Sequence, residues 1–122
     1  MAARHRLALK RVYLAPAAAD GRRVLVERLW PRGLSKQKAA VDLWLKEVAP
    51  TGDLRRWFHA DPEVRWPEFH ERYRAELREA SGPVAELERL VAAGPVTLLF
   101  AARDERHNSA VVLQEWLEGE RR

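Results

Sequence analysis

The chain has 122 residues, of which 47% are hydrophobic, and a formal net charge of +4 at pH 7. This length suits one domain with a core of its own, and the lack of cysteine excludes disulfides, thiolate catalysis and cysteine-based metal sites. No apolar run approaches the roughly eighteen residues that span a bilayer, and the basic N-terminus lacks the long apolar stretch of a secretory signal. We therefore expect a cytoplasmic protein that makes no contact with a membrane.

The first half of the chain predicts short strands separated by turns. Residues 7–14 alternate apolar and polar side chains, and residues 23–29 are apolar and rich in β-branched valine, so both segments favour strands. Between them, the dipeptide Asp20-Gly21 is a turn signal. Residues 36–50 fit either a helical face or an alternating strand, and we favour a short helical turn followed by a strand.

The second half predicts helices around one buried strand. The nearly all-apolar run "VTLLFAA", residues 96–102, is typical of a central strand that is covered on both faces. Helices are predicted from Thr51 or Asp53 to His59, over residues 66–80, between the breaks at 81–83 and 94–95, and over residues 109–119. Strands separated by helices predict an α/β fold, with residues 1–122 forming a single compact domain and a small, largely parallel sheet flanked by helices. We expect the strand 96–102 to be central, with the strand 23–29 parallel and adjacent to it.

Polar side chains follow two of these strands, at the edge where open α/β sheets bind ligands. One group follows residues 23–26, the other follows the apolar run, and the next helix begins at Ser109 with unpaired backbone amides that suit an anion. His107 is the best acid–base candidate, with Asp104 as its partner, because the ordinary imidazole pKa lies near neutrality. The predicted ligand-binding residues are Arg28, Trp30, Arg32, Lys36, Asn108 and Ser109, and the predicted catalytic residues are His107 and Asp104.

Each of these residues also has a purely structural interpretation. Trp30 suits a core or wall position, Asn108 suits the helix N-cap, and Asp104 can pair with a nearby arginine. The histidines at 59 and 70 each have an acidic neighbour, but no spacing typical of a metal site supports them. We therefore predict neither a metal nor a cofactor.

Several blocks of the chain together resemble a known family. The segments "DGRRVLVERLWPRGLSK", "DLWLKEVAP", "LRRWFHADP", "FHERYRAEL" and "VTLLFAARDERHNSAVVL" occur in the order typical of the YeaO-like family of uncharacterised conserved proteins, within the domain of unknown function numbered four hundred and eighty-eight. The resemblance covers roughly residues 9–117, and Glu27 stands where the family pattern has aspartate. Longer relatives carry a cysteine near the last strand and a Cys-His-Arg element after it, whereas this chain has Phe100, Ala101 and "RHN". The resemblance implies no function. Because this chain contains no cysteine, any thiol chemistry of the longer relatives is not possible in it.

Three functions remain open on the sequence. The first is binding of, and action on, a small anionic ligand that carries phosphate or carboxylate, at the residues named above. The second is a nucleic-acid-binding module, because residues 1–38 contain ten Lys and Arg against two acidic residues, whereas the other residues contain twelve against sixteen. The third is a non-catalytic interaction or scaffold protein, in which "WPRG" is a structural corner.

Overall fold

A four-stranded parallel sheet forms the centre of the molecule in the computed structural model, which describes residues 6–119. The strands are β1 (Leu7–Arg11), β2 (Arg22–Leu25), β3 (Leu43–Trp44) and β4 (Val96–Phe100), in the spatial order β1-β4-β2-β3. β4 pairs in parallel with β1 on one side and with β2 on the other. The predicted α/β class, the central position of β4 and its parallel pairing with β2 are confirmed.

The helices are α1 (Lys36–Ala39), α2 (Gly52–Ala60), α3 (Pro62–Glu79), α4 (Ser81–Ala93) and α5 (Ser109–Leu117), with 3₁₀ turns at Ala18–Asp20 and Lys46–Val48. Thr51 is the N-cap of α2, and its side chain accepts a hydrogen bond from the Leu54 amide. The ambiguous segment 36–50 is a short helix followed by a strand, as favoured. Within residues 6–119, no helix combines the length and apolar character needed to span a bilayer.

The two faces of the sheet are covered unequally. α2 to α5 all contribute buried side chains to a large core against one face, where β4 presents Val96, Leu98 and Phe100. A smaller core on the other face contains Leu99 of β4 and Ala39 of α1. The chain after β2 therefore turns towards one face, and the chain after β4 turns towards the other. Such a divergence between neighbouring parallel strands opens a crevice at their carboxyl ends.

The opposite end of β2 is closed by a turn that only glycine fits. Gly21 has φ +63°, and a Cβ atom added to it would lie 2.3 Å from the carbonyl oxygen of Pro95. The next amide, that of Arg22, donates to the same oxygen at 3.0 Å. The "DG" turn thus brings the start of β2 against the start of β4.

A buried ion pair fastens this turn to the smaller core. Asp20 and Arg23 are 5% and 4% exposed, and Arg23 Nη1 donates to Asp20 Oδ2 at 2.6 Å. Arg23 also donates to the carbonyl oxygens of Ala39 and Ala40, at 2.7 and 3.0 Å, and so ties β2 to the end of α1. Lys10 of β1 is the second cation on Asp20, at 3.1 Å.

Candidate functional site

A cavity of about 390 Å³ lies at the crevice between the carboxyl ends of β2 and β4. The ends of both strands and the start of α5 form one side of it, and α2 with the start and middle of α3 forms the other. We call it the edge cavity. Its lining residues are Glu27, Arg28, Pro50, Arg55, Phe58, His59, Pro62, Phe69, Ala101, Ala102, Arg103, Asp104, His107, Asn108 and Ser109.

Glu27 joins the ends of the two strands. Its Oε2 accepts a hydrogen bond from the Ala101 amide at 3.0 Å, and its backbone carbonyl accepts one from Trp44 Nε1 at 2.6 Å. Burial raises the pKa of this carboxyl above its usual range, and the Ala101 amide and the Arg55 charge oppose the rise. The surroundings of Glu27 therefore disfavour its ionised form. Because Glu27 lines the edge cavity, a ligand bound there can contact its carboxyl group.

Arg28, one residue further on, is fixed by the backbone of the 49–50 segment. Its Nη2 donates to the Ala49 carbonyl at 2.8 Å, and its Nε donates to the Pro50 carbonyl at 3.3 Å. These bonds hold the guanidinium at the wall of the edge cavity.

α2 supplies the side of the cavity that faces the strand ends. Arg55, Phe58 and His59 are spaced three and four residues apart, so one helical face directs all three towards it. Arg55 Nε is buried and has no hydrogen-bond partner among the described residues. Burial, and then the Arg55 charge, lower the pKa of His59 below its usual value, which favours a neutral imidazole.

Neither Arg55 nor His59 was among the residues predicted from the sequence to bind a ligand. The available signal was their position in the predicted helix beside the buried Leu54 and Phe58. What the sequence did not reveal is that this helix packs over the strand ends.

The loop from β4 to α5 is held together by Asp104. Its Oδ1 accepts hydrogen bonds from the amides of Arg106 and His107, at 2.9 and 3.0 Å, and these bonds lower the pKa of the carboxyl. Its Oδ2 lies 3.2 Å from His107 Nδ1, so the predicted pair is in contact, although both side chains are exposed. The His107 ring also packs on Trp66, with ring centroids 5.0 Å apart.

Asn108 is the N-cap of α5, in agreement with its structural interpretation. Its Oδ1 accepts from the Val111 amide at 3.1 Å, while its Nδ2 donates to the Asp104 carbonyl at 2.8 Å. The buried Asn108 side chain thereby sets the direction in which the first turn of α5, beginning at Ser109, meets the edge cavity.

Three of the predicted ligand-binding residues lie away from the edge cavity, on the side of the smaller core. Trp30 donates from Nε1 to the Leu34 carbonyl at 2.7 Å and packs edge-on against Trp44, with ring centroids 5.4 Å apart. Arg32 and Lys36 are exposed on the following turn and at the start of α1. The reason is local: burying the Trp30 ring draws the "WPRG" turn towards the α1 face. The structure thus divides the predicted group, with Arg28, Asp104, His107, Asn108 and Ser109 lining the edge cavity.

Much of the basic N-terminal third is used internally. Arg6 Nη1 donates to the Ala19 carbonyl at 2.7 Å, Arg11 Nε donates to the Ala102 carbonyl at 3.0 Å, and Lys10 and Arg23 both bind Asp20. Residues 1–5 lie outside the described part of the chain. Binding of nucleic acid by this third stays a prediction, with fewer free cations than the charge count suggests.

Comparison with known proteins confirms the resemblance. A family model described as "Inactive DUF488-N3 subclade" matches residues 6–122. The chain belongs to this DUF488 family. It is 42% identical over 108 residues to "Uncharacterized protein YeaO" of Escherichia coli (strain K12), a match covering 88% of this chain and 93% of that protein. It is also 42% identical over 114 residues to "Uncharacterized protein Rv3073c" of Mycobacterium tuberculosis, covering 93% and 95% respectively. No solved structure matches this DUF488 chain.

Proposed function

We propose that the protein binds a small anion, a phosphate or carboxylate carried by a metabolite, in the edge cavity. The observation that carries this proposal is the buried Nε of Arg55, which has no acceptor among the described residues. A buried donor without a partner is unfavourable by about 1–3 kcal/mol, and by more when the group is charged. An anionic ligand in the edge cavity would supply a charged acceptor for this donor.

Further positive groups support the same ligand class. Arg28 and Arg103 both line the edge cavity. The first turn of α5, beginning at Ser109, adds the positive end of the helix dipole and its leading backbone amides, of which that of Val111 is already bonded to Asn108. Together, these groups favour an oxyanion in the edge cavity.

Two carboxylates also line the cavity, and their surroundings limit their repulsion of an anion. Glu27 Oε2 accepts a hydrogen bond from the Ala101 amide, which offsets part of its negative charge. Both oxygens of Asp104 are engaged, one by two backbone amides and the other by His107. The arginines therefore outweigh the carboxylates in the cavity.

In this proposal the Asp104–His107 pair contacts the ligand and does not turn it over. An Asp104 carboxylate that accepts from Nδ1 fixes the imidazole and leaves Nε2 to bind the ligand. The description of the matched family as inactive supports binding without reaction. Phe100 and Ala101, at the end of β4, also lack a nucleophile.

Thermal melting with inorganic phosphate tests the proposal. The variant is Arg55→Met, and the matched control is Arg56→Met, because Arg56 is the next residue of α2 but is exposed and pairs with the exposed Asp53. Phosphate should raise the melting temperature of the wild type and of Arg56→Met by several degrees more than that of Arg55→Met. Ligand at a hundred times Kd stabilises by about 2.7 kcal/mol, whereas general salting-out by phosphate acts on all three proteins alike.

Two outcomes contradict the proposal. Equal phosphate responses in Arg55→Met and the wild type would show that Arg55 does not bind the anion. A response that is lost in Arg32→Ala and kept in Arg55→Met would move the site to the exposed "WPRG" turn, where Arg32, Trp30 and Lys36 lie.

A further inference from the structure

The edge cavity presents a positive and a negative group that attract each other without touching. Glu27 and Arg55 both line the edge cavity. Among residues 6–119, Arg55 forms no ion pair with Glu27, and its Nε has no partner at all. A cation and an anion that line the same cavity and stay apart leave a space for a molecule that carries both opposite charges.

Glu27 is also the carboxylate with a free oxygen. Its Oε2 accepts from the Ala101 amide, and its Oε1 has no hydrogen-bond partner among the described residues. Asp104, in contrast, already uses both of its oxygens within the loop. A ligand ammonium group that enters the edge cavity therefore finds its acceptor in Glu27.

The edge cavity also has an apolar part and is larger than an inorganic anion requires. A volume of about 390 Å³ falls within the range for small-molecule sites. The apolar lining comes from two proline rings, two phenylalanine rings stacked 4.1 Å apart and two alanines of the β4 end. This lining suits an apolar group of several carbon atoms beside the charged end of the ligand.

We infer that the ligand is a zwitterion with an apolar side chain, an apolar α-amino acid or its phosphonate analogue. Its carboxylate or phosphonate binds Arg55 and the first turn of α5, its ammonium binds Glu27 Oε1, and its side chain contacts Phe58 and the neighbouring apolar residues. This inference rests on the proposed anion site and adds the second charge and the apolar group. It also accounts for a half-buried ionisable Glu27 after the end of β2, where a neutral side chain would be better accommodated.

Calorimetric titration with matched ligands tests the inference on the wild-type protein. The probes are free leucine, methionine and phenylalanine, each against the carboxylic acid that lacks its amino group and the amine that lacks its carboxylate. We expect at least one amino acid to bind about ten- to a hundredfold more tightly than both of its counterparts, the loss expected for one charged hydrogen bond.

A variant identifies the group that selects the ammonium. Glu27→Gln keeps an oxygen for the Ala101 amide but loses the charge, and Glu47→Gln is the control, because Glu47 is exposed on the 3₁₀ turn outside the edge cavity. Glu27→Gln should bind the amino acid and its deaminated acid about equally, whereas Glu47→Gln should keep the preference of the wild type. A preference that survives in Glu27→Gln would contradict the role of Glu27.

The outcomes separate this inference from the proposed function. If phosphate binds through Arg55 but no amino acid binds more tightly than its deaminated acid, the zwitterion is wrong and the anion site stands. If neither phosphate nor any carboxylate binds, both fail. The comparison among ligands uses only the wild type, so it decides the question even if Glu27→Gln does not fold.

Discussion

At the scale of the residue, Arg23 and Arg55 show how one type of side chain serves two purposes. Arg23 is buried, and its guanidinium donates to one carboxylate and two carbonyls, so its hydrogen bonds are made within the fold. Arg55 has a buried donor that no described residue satisfies. In the sequence, both residues contribute one positive charge. Only the hydrogen bonds in the structure distinguish Arg23, which is satisfied within the fold, from Arg55, which has a donor left for a ligand.

Replacing Arg23 should destabilise the fold, because Asp20 would keep a buried charge with one cation fewer. Breaking a buried pair from one side typically costs about 3–5 kcal/mol. The remaining contact from Lys10 to Asp20, at 3.1 Å, should keep Arg23→Met near the lower end of that range. The matched control is Arg22→Met, since Arg22 is the exposed neighbour in the same strand. Its free energy of unfolding should change by no more than about 0.5 kcal/mol. Urea unfolding measures both, and equal losses in the two variants would contradict a structural role for the ion pair.

At the scale of the element, periodicity predicted the type of each segment better than its ends. Residues 23–29 were predicted as a strand, yet β2 ends at Leu25 and Leu29 is 58% exposed. The apolar run 96–102 was predicted as one strand, but β4 ends at Phe100, since the Ala101 amide bonds to the Glu27 side chain. An apolar pattern does not reveal the residue at which backbone hydrogen bonds between strands end and an amide bonds to a side chain instead. That information depends on residues more than seventy positions away.

The sequence predicted those residues of the candidate site that directly follow a predicted strand. The rule that ligands bind at the carboxyl ends of parallel strands led to Arg28, Asp104 and His107. It could not reveal Arg55, because that residue reaches the site through the packing of α2 over the strand ends. Nor could it reveal that the Trp30 ring belongs to the smaller core, since an aromatic residue after a strand suits a ligand wall and a core position equally.

The turn before β2 is the element whose geometry should tolerate substitution least. Gly21 and Gly33 both have positive φ, at 63° and 74°, but only Gly21 lies against another backbone segment. Gly33→Ala should therefore lose about 1–2 kcal/mol for the left-handed backbone alone. Gly21→Ala should lose clearly more, because its Cβ would lie 2.3 Å from the Pro95 carbonyl oxygen and disturb the start of β4. Thermal or urea unfolding compares the two, and similar losses would mean that the close approach to Pro95 contributes nothing.

At the scale of the whole molecule, the two ends of β2 carry carboxyls with opposite electrostatic behaviour. Asp20, at the amino end, is buried, which alone would raise its pKa, but hydrogen bonds from the Ala17 amide, Lys10 and Arg23 outweigh burial and lower it. Glu27, at the carboxyl end, has its pKa raised by burial. The first arrangement stabilises the ionised form and the second disfavours it. The carboxylate of Asp20 therefore stabilises the fold, whereas the carboxyl group of Glu27 lies at the edge cavity and gains no such stabilisation from ionising.

The sign of each shift predicts how stability changes with pH. Because the pKa of Asp20 is lowered in the fold, its contribution is present above the ordinary value of 3.8 and is lost as the pH falls through the lowered value. Because the pKa of Glu27 is raised, its contribution is present below the ordinary value of 4.5 and is lost as the pH rises through the raised value. At neutral pH, Asp20 therefore stabilises the protein and ionised Glu27 destabilises it.

Thermal melting of Asp20→Asn and Glu27→Gln between about pH 3 and pH 8 measures both contributions. At pH 7 Asp20→Asn should melt below the wild type, and this difference should narrow as the pH falls below 3.8. Glu27→Gln should melt above the wild type at pH 7, and its advantage should disappear as the pH falls below 4.5, where Glu27 is protonated in both folded and unfolded chains. A Glu27→Gln protein that melts below the wild type at pH 7 would contradict this. It would mean that the carboxylate holds the ends of β2 and β4 together through the Ala101 amide, and that its place in the edge cavity needs no ligand to explain it.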